Sequence, residues 1–275
     1  FKISSKHQTA TSAYSLTISG GKISDTIISN LNEGTTVEVR DLFYATPARL
    51  KFLRSDKTEL ASIILVVKKI ALANHNVSIK LTHEGKTIID VFTITNDNSL
   101  RNRVTEIMGK EFIENSSEIN FNNSGIHIKG FTSLPTFNKA SADEQYLFIN
   151  NRPVKDKILN VALKVAYQDY LARDRHPLSV LFIEIEPHFV DVNVHPAKNE
   201  VRFHDPNLVR SLAIAAIKEA LVKTSNQVSN IASARAINYM SQGSSDNRQL
   251  FNEKANTARF ALPQSSSNAK SYLRS

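Results

Sequence analysis

The segment VDVNVHPAKNEVRF, residues 190–203, delivers one lysine, Lys198, to a short tip stiffened by Pro196. Val190, Val192 and Val194 alternate with Asp191, Asn193 and His195, the period-two pattern of a half-buried strand, and alternation resumes at Val201 and Phe203. A lysine at a strand end is a compact cation with three donors, suited to reaching a terminal phosphate in a neighbouring cleft. A solvated turn lysine has the same local sequence, and spacing alone leaves both readings open.

Two other groups could meet phosphate. Arg152, Lys155 and Lys157 stand where a strand turns into a helix, so the three cations and the helix N-terminus could face a nucleic-acid backbone; an ordinary polar turn is the alternative. Gly34-Thr35-Thr36 precedes a strand in which Thr35 shares parity with Val37 and Val39, which places its hydroxyl inward. A buried hydroxyl needs a partner, either a ligand with its ordered water or a nearby backbone carbonyl. Other chemistries are poorly supported. There is no cysteine and no HExxH, and His188 and His195 lie an odd offset apart, on opposite faces of a continuous strand. No G-x-S-x-G is present. The eight glycines form neither a P-loop nor a G-x-G-x-x-G fingerprint.

The elements that must position these residues follow from periodicity and punctuation. Strands are expected at 12–18, 22–29 and 35–40. Thr46 and Pro47 then suit the N-cap and first position of a short helix, followed by a long one over 56–73 with an apolar stripe of Leu60, Ile63, Ile64, Val67, Ile70 and Ala71. Glu84-Gly85 reads as a hairpin turn between two strands, and the polar TNDNS, 95–99, as a domain boundary. A helix over 100–108 stops at Gly109. Strands at 126–132 and 145–150 flank a loop, 135–144. A helix over 155–172, with the stripe Ile158, Val161, Ala162 and Val165, links the second of them to a strand at 179–186 in a parallel crossover. Asp205 caps a last helix carried by Val209, Leu212, Ala213, Ala216, Ile217 and Ala220. After Ser225 periodicity gives way to Asn, Ser, Gln and Ala, the texture of a disordered linker.

At 275 residues the chain suits two domains with their own cores. Its net charge of +8 favours polyanionic partners, but half of that excess lies beyond residue 225, so a basic patch on the folded part must come from arrangement. Lys68 and Lys69 interrupt the longest apolar run, 63–73, and no membrane helix is expected. The absence of cysteine fits a reducing, intracellular setting.

Taken together, GTTVEVRDLFYATPARLKFLRS (34–55), EQYLFINNRPVKD (144–156) and VDVNVHPAKNEVRFHDP (190–206) resemble, in order and spacing, the MutL family of DNA mismatch-repair ATPases. The resemblance spans residues 1–225, and the last block is its most specific part. It implies an α+β fold: the C-terminal part of a GHKL α/β-sandwich ATPase domain over 1–97, a transducer domain of ribosomal-protein-like fold with a left-handed βαβ crossover over 98–225, and a disordered linker over 226–275. Left-handedness would depart from the general rule for parallel crossovers. It also implies that Lys198 contacts the γ-phosphate of a nucleotide, that Asn193 serves ATP-dependent lid contacts, that Gly34 and Thr35 belong to the last GHKL nucleotide motif, and that Lys157 contacts DNA where the family more usually has arginine. Arg152 and Lys155 join Lys157 by proximity.

The family's general-base Glu, Mg-binding Asn, D-x-G-x-G motif and G-F-R-G-E-A lid are not found in this chain. ATP with Mg²⁺ is therefore expected as cofactor of the intact parent. The 275-residue chain alone is expected neither to bind ATP tightly nor to hydrolyse it. For the parent, the resemblance implies an ATP-driven homodimeric clamp on DNA in the bacterial cytoplasm, associated with the nucleoid during repair. Its partners would be the mismatch-recognition protein MutS and a downstream nuclease or helicase. A topoisomerase-B-like GHKL ATPase segment and a plain nucleic-acid-binding module are the alternatives. DLFYATPAR and HPAKNEVRF speak for the repair family over the former.

Overall fold

The computed structural model describes residues 1–93, 96, 98–191 and 200–225. The expected linker, 226–275, lies outside them, as do Asn193 and Lys198. Two compact units, 1–67 and 68–275, are distinguished by their internal packing.

The first unit is a five-stranded antiparallel sheet. Its strands are β1 (Lys2–Lys6), β2 (Ala13–Ser19), β3 (Lys22–Ile23), β4 (Ile27–Ser29) and β5 (Gly34–Glu38). β2 and β5 flank β1, while β3 and β4 extend the sheet from β2. The sequence pattern missed β1, whose KISSK carries one apolar residue. Helix α1 (Pro47–Leu50) begins on Pro47 as expected, although Thr46 makes no capping hydrogen bond. Ala13 is the one buried apolar side chain among residues 1–67.

Helix α2 (Asp56–Ala73) has the expected bounds but not the expected buried stripe. Ile63 and Ile70 are 48% and 46% exposed, and burial concentrates at Ala71, Leu72 and Ala73. ASIILVVKKIALA is apolar around much of the helix circumference, so periodicity cannot select a face, and local packing decides. At the C-terminal end that packing is anchored by Arg103. Its guanidinium donates to the carbonyl oxygens of Ala71, Asn74, His75, Val77 and Phe92 and pairs with Glu106 at 3.2 Å. Arg103 is 1% exposed, and a buried guanidinium is tolerable only when its donors are used in this way.

Arg103 sits in α3 (Ser99–Met108), which ends at Gly109 with φ +92°. The hairpin β6 (Ile79–His83) and β7 (Lys86–Val91) turns on Glu84 and Gly85, both at positive φ. A second helix, α4 (Lys110–Glu114), follows and packs on β8 (Ser116–Asn123) and β9 (Ile126–Ser133); α4 and β8 were not anticipated. The loop expected over 135–144 contains β10 (Asn138–Lys139), which pairs with β13 (His176–Pro177).

The main sheet has the order β12-β11-β14-β9-β8, with β11 (Gln145–Ile149), β12 (Arg152–Val154) and β14 (Ser179–Ile185). β11 and β14 are parallel and every other pair is antiparallel, so the expected parallel crossover is present. Its helix, α5, is shorter than expected, Lys157–Ala166. It buries Leu159, Ala162, Leu163 and Ala166, while Val161 from the expected stripe is exposed. One sheet face, through Ile128, Leu147, Ile149, Leu181 and Ile183, shares a core with α5 and with helix α6, residues 206–225. Helix α6 buries every residue of its expected stripe, and Asp205 caps it by accepting from the amides of Asn207 and Leu208. On the opposite face Tyr146, Phe148, Val180 and Phe182 are also buried, which explains why β11 and β14 read as continuous apolar runs. Beyond β14, a 3₁₀ turn (Pro187–Phe189) leads to β15 (Val190–Asp191), paired with β16 (Arg202–Phe203) on either side of the undescribed tip.

Candidate functional site

Arg152, Lys155 and Lys157 stand where strand β12 turns into helix α5, directly after a tight hairpin. Asn150 and Asn151 both adopt positive φ, +48° and +63°, and close a hairpin between β11 and β12. Asparagine tolerates that conformation. The Asn150 side chain holds β14 twice, donating to the Ile185 carbonyl at 2.8 Å and accepting from the Ile185 amide at 3.0 Å. Arg152 therefore opens β12, and that strand turns into α5 between Val154 and Lys157. Lys155 follows β12, and Lys157 opens α5. Both lysines are exposed and Arg152 is partly so. The Asn-Asn pair between two apolar runs was the signal available in the sequence.

Between the lysines, Asp156 caps α5 by accepting from the Leu159 amide at 2.9 Å. It is buried, and burial pushes its carboxyl above the usual range; the Leu159 and Ile158 amides oppose that rise and Glu200 adds to it. The cap thus fixes where Lys155 and Lys157 leave the surface. A fourth cation joins them. Burial, and then the field of Lys155, push the Lys69 ammonium below the ordinary lysine value. Sequence reasoning treated Lys69 only as an interruption of an apolar run, because a contact 86 residues distant leaves no local trace.

The remaining expected residues are less assembled. Gly34 starts β5 at φ +118°, with open space where a side chain would stand. Thr35 is exposed, as are Val37 and Val39, which corrects the inward placement of its hydroxyl. Alternation assigns residues to a face, but burial requires a covering layer, and none lies over this face among the described residues. The Thr35 hydroxyl instead lies 2.8 Å from that of Ser5. His188 Nδ1 lies 3.4 Å from Glu186, and its ring meets that of Phe189 at a tilt of 41°.

A family description, "DNA mismatch repair protein, C-terminal domain", matches residues 104–222. DNA mismatch repair protein MutL of Rickettsia peacockii (strain Rustic) is 53% identical over 237 residues, 86% of this chain and 39% of that protein. The chain belongs to the MutL family of DNA mismatch-repair proteins. MutL of Rickettsia conorii (strain ATCC VR-613 / Malish 7) is 54% identical over 82% of this chain and 38% of its own length. The chain thus spans about two fifths of these MutL relatives. Among solved structures, the Aquifex aeolicus MutL ATPase domain complexed with ADP aligns with a TM-score of 0.56 and 27% identity, covering 77% of this chain and 71% of that one. The crystal structure of the N-terminal domain of a DNA repair protein aligns at 0.68 with 22% identity, a likeness of fold. The α+β architecture is thus that of MutL ATPase-domain structures. No helix among the described residues is long and apolar enough to cross a membrane.

Proposed function

We infer that the chain is the nucleotide-sensing and DNA-contacting part of a MutL mismatch-repair protein. The observation that carries this reading is the 53% identity to Rickettsia MutL over most of the chain. In this reading residues 1–97 belong to a GHKL ATPase domain, 98–225 form the transducer and 226–275 a linker. Packing divides the chain earlier, at 67/68, because Arg103 fastens the end of α2 and the β6–β7 hairpin to α3. The whole protein would bind ATP with Mg²⁺, close as a homodimer on DNA beside the nucleoid, and couple mismatch recognition by MutS to strand excision. ATP hydrolysis transfers the terminal phosphoryl group to water. Toward that chemistry this chain contributes Gly34 and Thr35 at the start of β5, Asn193, and Lys198, whose ammonium would neutralise charge on the γ-phosphate.

DNA contact falls to Arg152, Lys155 and Lys157. The rigid Asn150–Asn151 hairpin and the Asp156 cap support that role, since cations on fixed backbone lose less freedom on meeting phosphates. No base-reading pattern is involved, so binding is expected to be sequence-independent and salt-sensitive. Each phosphate neutralised adds about −0.9 to the slope of log K against log salt on duplex. Lys157→Glu is expected to weaken binding to unrelated duplexes alike and to flatten that slope. Fluorescence anisotropy across a salt series measures both, and loss on one sequence with retention on others would refute the backbone-contact reading.

A further inference from the structure

One face of the main sheet carries an ionic cluster that the DNA-contacting residues do not use. His127 and Lys129 of β9 share Glu184 of β14, with His127 Nδ1 3.1 Å from its carboxylate. His127 Nε2 lies 2.9 Å from Asn120 Oδ1. Arg101, in the first turn of α3, lies over the Phe131 ring at 5.6 Å and pairs with Glu118 at 3.3 Å. His127, Lys129, Asn120, Arg101 and Glu118 line a cavity of about 330 Å³, together with His75, Ser99 and Asn151. The size falls in the range of small-ligand sites.

Three observations indicate what the cavity is built to hold. His75 Nδ1 is shut off from solvent and has no hydrogen-bond partner among the described residues. A buried polar atom left without a partner carries a cost that a bound group or water would relieve. Helix α3 opens at the cavity with no side-chain cap from Asn98, its Ser99 amide donating instead to the Asn96 carbonyl at 2.9 Å. The cations beside the cavity are held only by partly exposed carboxylates. Lys129 and His127 both lean on one carboxylate, and the Arg101–Glu118 pair, 46% and 63% exposed, is a weak surface pair that a stronger anion can displace.

We propose that this cavity is a binding site for a phosphate monoester, formed by Arg101 and Ser99 of α3 with Lys129, His127 and His75. Its donors come from three separate parts of the chain, which suits the tetrahedral spread of phosphate oxygens better than a planar carboxylate. The volume admits a phosphate with an attached sugar and excludes duplex DNA. The ligand is a free phosphate or the phosphorylated terminus of a single strand. Burial, then Arg103 and Lys129, push the His75 imidazole below its usual pKa, which favours its uncharged form.

The test uses the 275-residue chain with isotope-labelled histidine. Inorganic phosphate is titrated against chloride at constant ionic strength, with the His75 imidazole resonances as readout. A saturable shift with a Kd of about 1 mM or tighter is expected, the strength of a few charge-assisted hydrogen bonds. Arg101→Gln and Lys129→Met should each weaken it about tenfold, the cost of one such bond. In a second arm, single strands with a 5′-phosphate are compared with their 5′-hydroxyl counterparts. About tenfold preference for the phosphorylated strand assigns a strand terminus, whereas equal binding beside a saturable response to inorganic phosphate assigns the free ion. The proposal fails if His75 shows no saturable shift with either probe over the millimolar range. It fails equally if the shift survives both substitutions unchanged in folded variants. Should the variants not fold, the wild-type titration still decides.

Discussion

At Arg103 one guanidinium donates to five backbone carbonyls drawn from the end of α2, the turn after it and the edge of the β6–β7 hairpin. Truncation leaves those acceptors and Glu106 without their cation, so Arg103→Ala is expected to destabilise residues 68–225 by about 3–5 kcal/mol, as in other broken buried charge networks. Arg103→Lys should recover only part of this, because an ammonium has three donors where five carbonyls wait. Urea denaturation followed by circular dichroism measures both. Gly130 is a second position where one atom decides. At φ +136°, a Cβ would stand 2.0 Å from the Val180 carbonyl oxygen. Strain and overpacking, each about 1–3 kcal/mol, act together there, and Gly130→Ala is expected to cost about 3 kcal/mol or more by the same assay. Neither role was legible in sequence. RNRV reads as a polar helical stretch and IKGFT as a strand with a weak spot, because both demands come from segments far along the chain. The cationic trio was legible as a cluster, since its members lie within six residues of one another.

Helix α5 separates what periodicity supplies from what packing supplies. Its start and its parallel crossover follow from NNRPVKDK and the apolar runs on either side. Its end does not, since the apolar texture continues through Val165 and Leu171. The helix stops where the Tyr167 hydroxyl donates to the Ser133 carbonyl and meets Thr132 Oγ1 at 2.7 Å, a tertiary tether without a local signature. The Asp156 cap gives this element its pH dependence. Its carboxyl titrates higher when folded than when unfolded, so between those two values the folded state holds a proton that the unfolded state has lost. Stability from this group therefore falls as pH rises from the ordinary Asp value through the raised one. Asp156→Asn keeps an oxygen to accept from the Leu159 amide and removes the buried charge. It is expected to be at least as stable as the parent at neutral pH and to lose this segment of the pH profile. Asp156→Ala should fall about 1 kcal/mol below the Asn variant, the cost of a cap. Thermal melts from pH 4 to 7 separate the three proteins, and an Asn variant no better than Ala would show that the cap is not what holds the helix start.

Across the whole molecule, residues 1–67 and 68–225 differ in what their apolar residues do. In the first, Tyr44, Phe52 and Ile28 are 76%, 83% and 74% exposed, and Val37 and Val39 face solvent. In the second, α5 and α6 cover one face of the sheet, and on the other face Tyr146, Phe148, Val180 and Phe182 are buried beside the part-exposed His127, Lys129 and Glu184. Alternation in the first unit gave no sign of this, since a period of two states which residues share a face and not whether anything covers it. Resistance to opening follows the covered surface and not the pattern. Amides of β9 and β14 in the 275-residue chain are accordingly expected to exchange only with unfolding of the second unit. Those of β1, β2 and β5 should exchange through openings lower by about 2 kcal/mol or more. Hydrogen exchange read by NMR or mass spectrometry resolves the two groups. Equal protection in both would mean that the exposed apolar residues of the first sheet are covered in solution, and that the difference in burial does not govern how this chain opens.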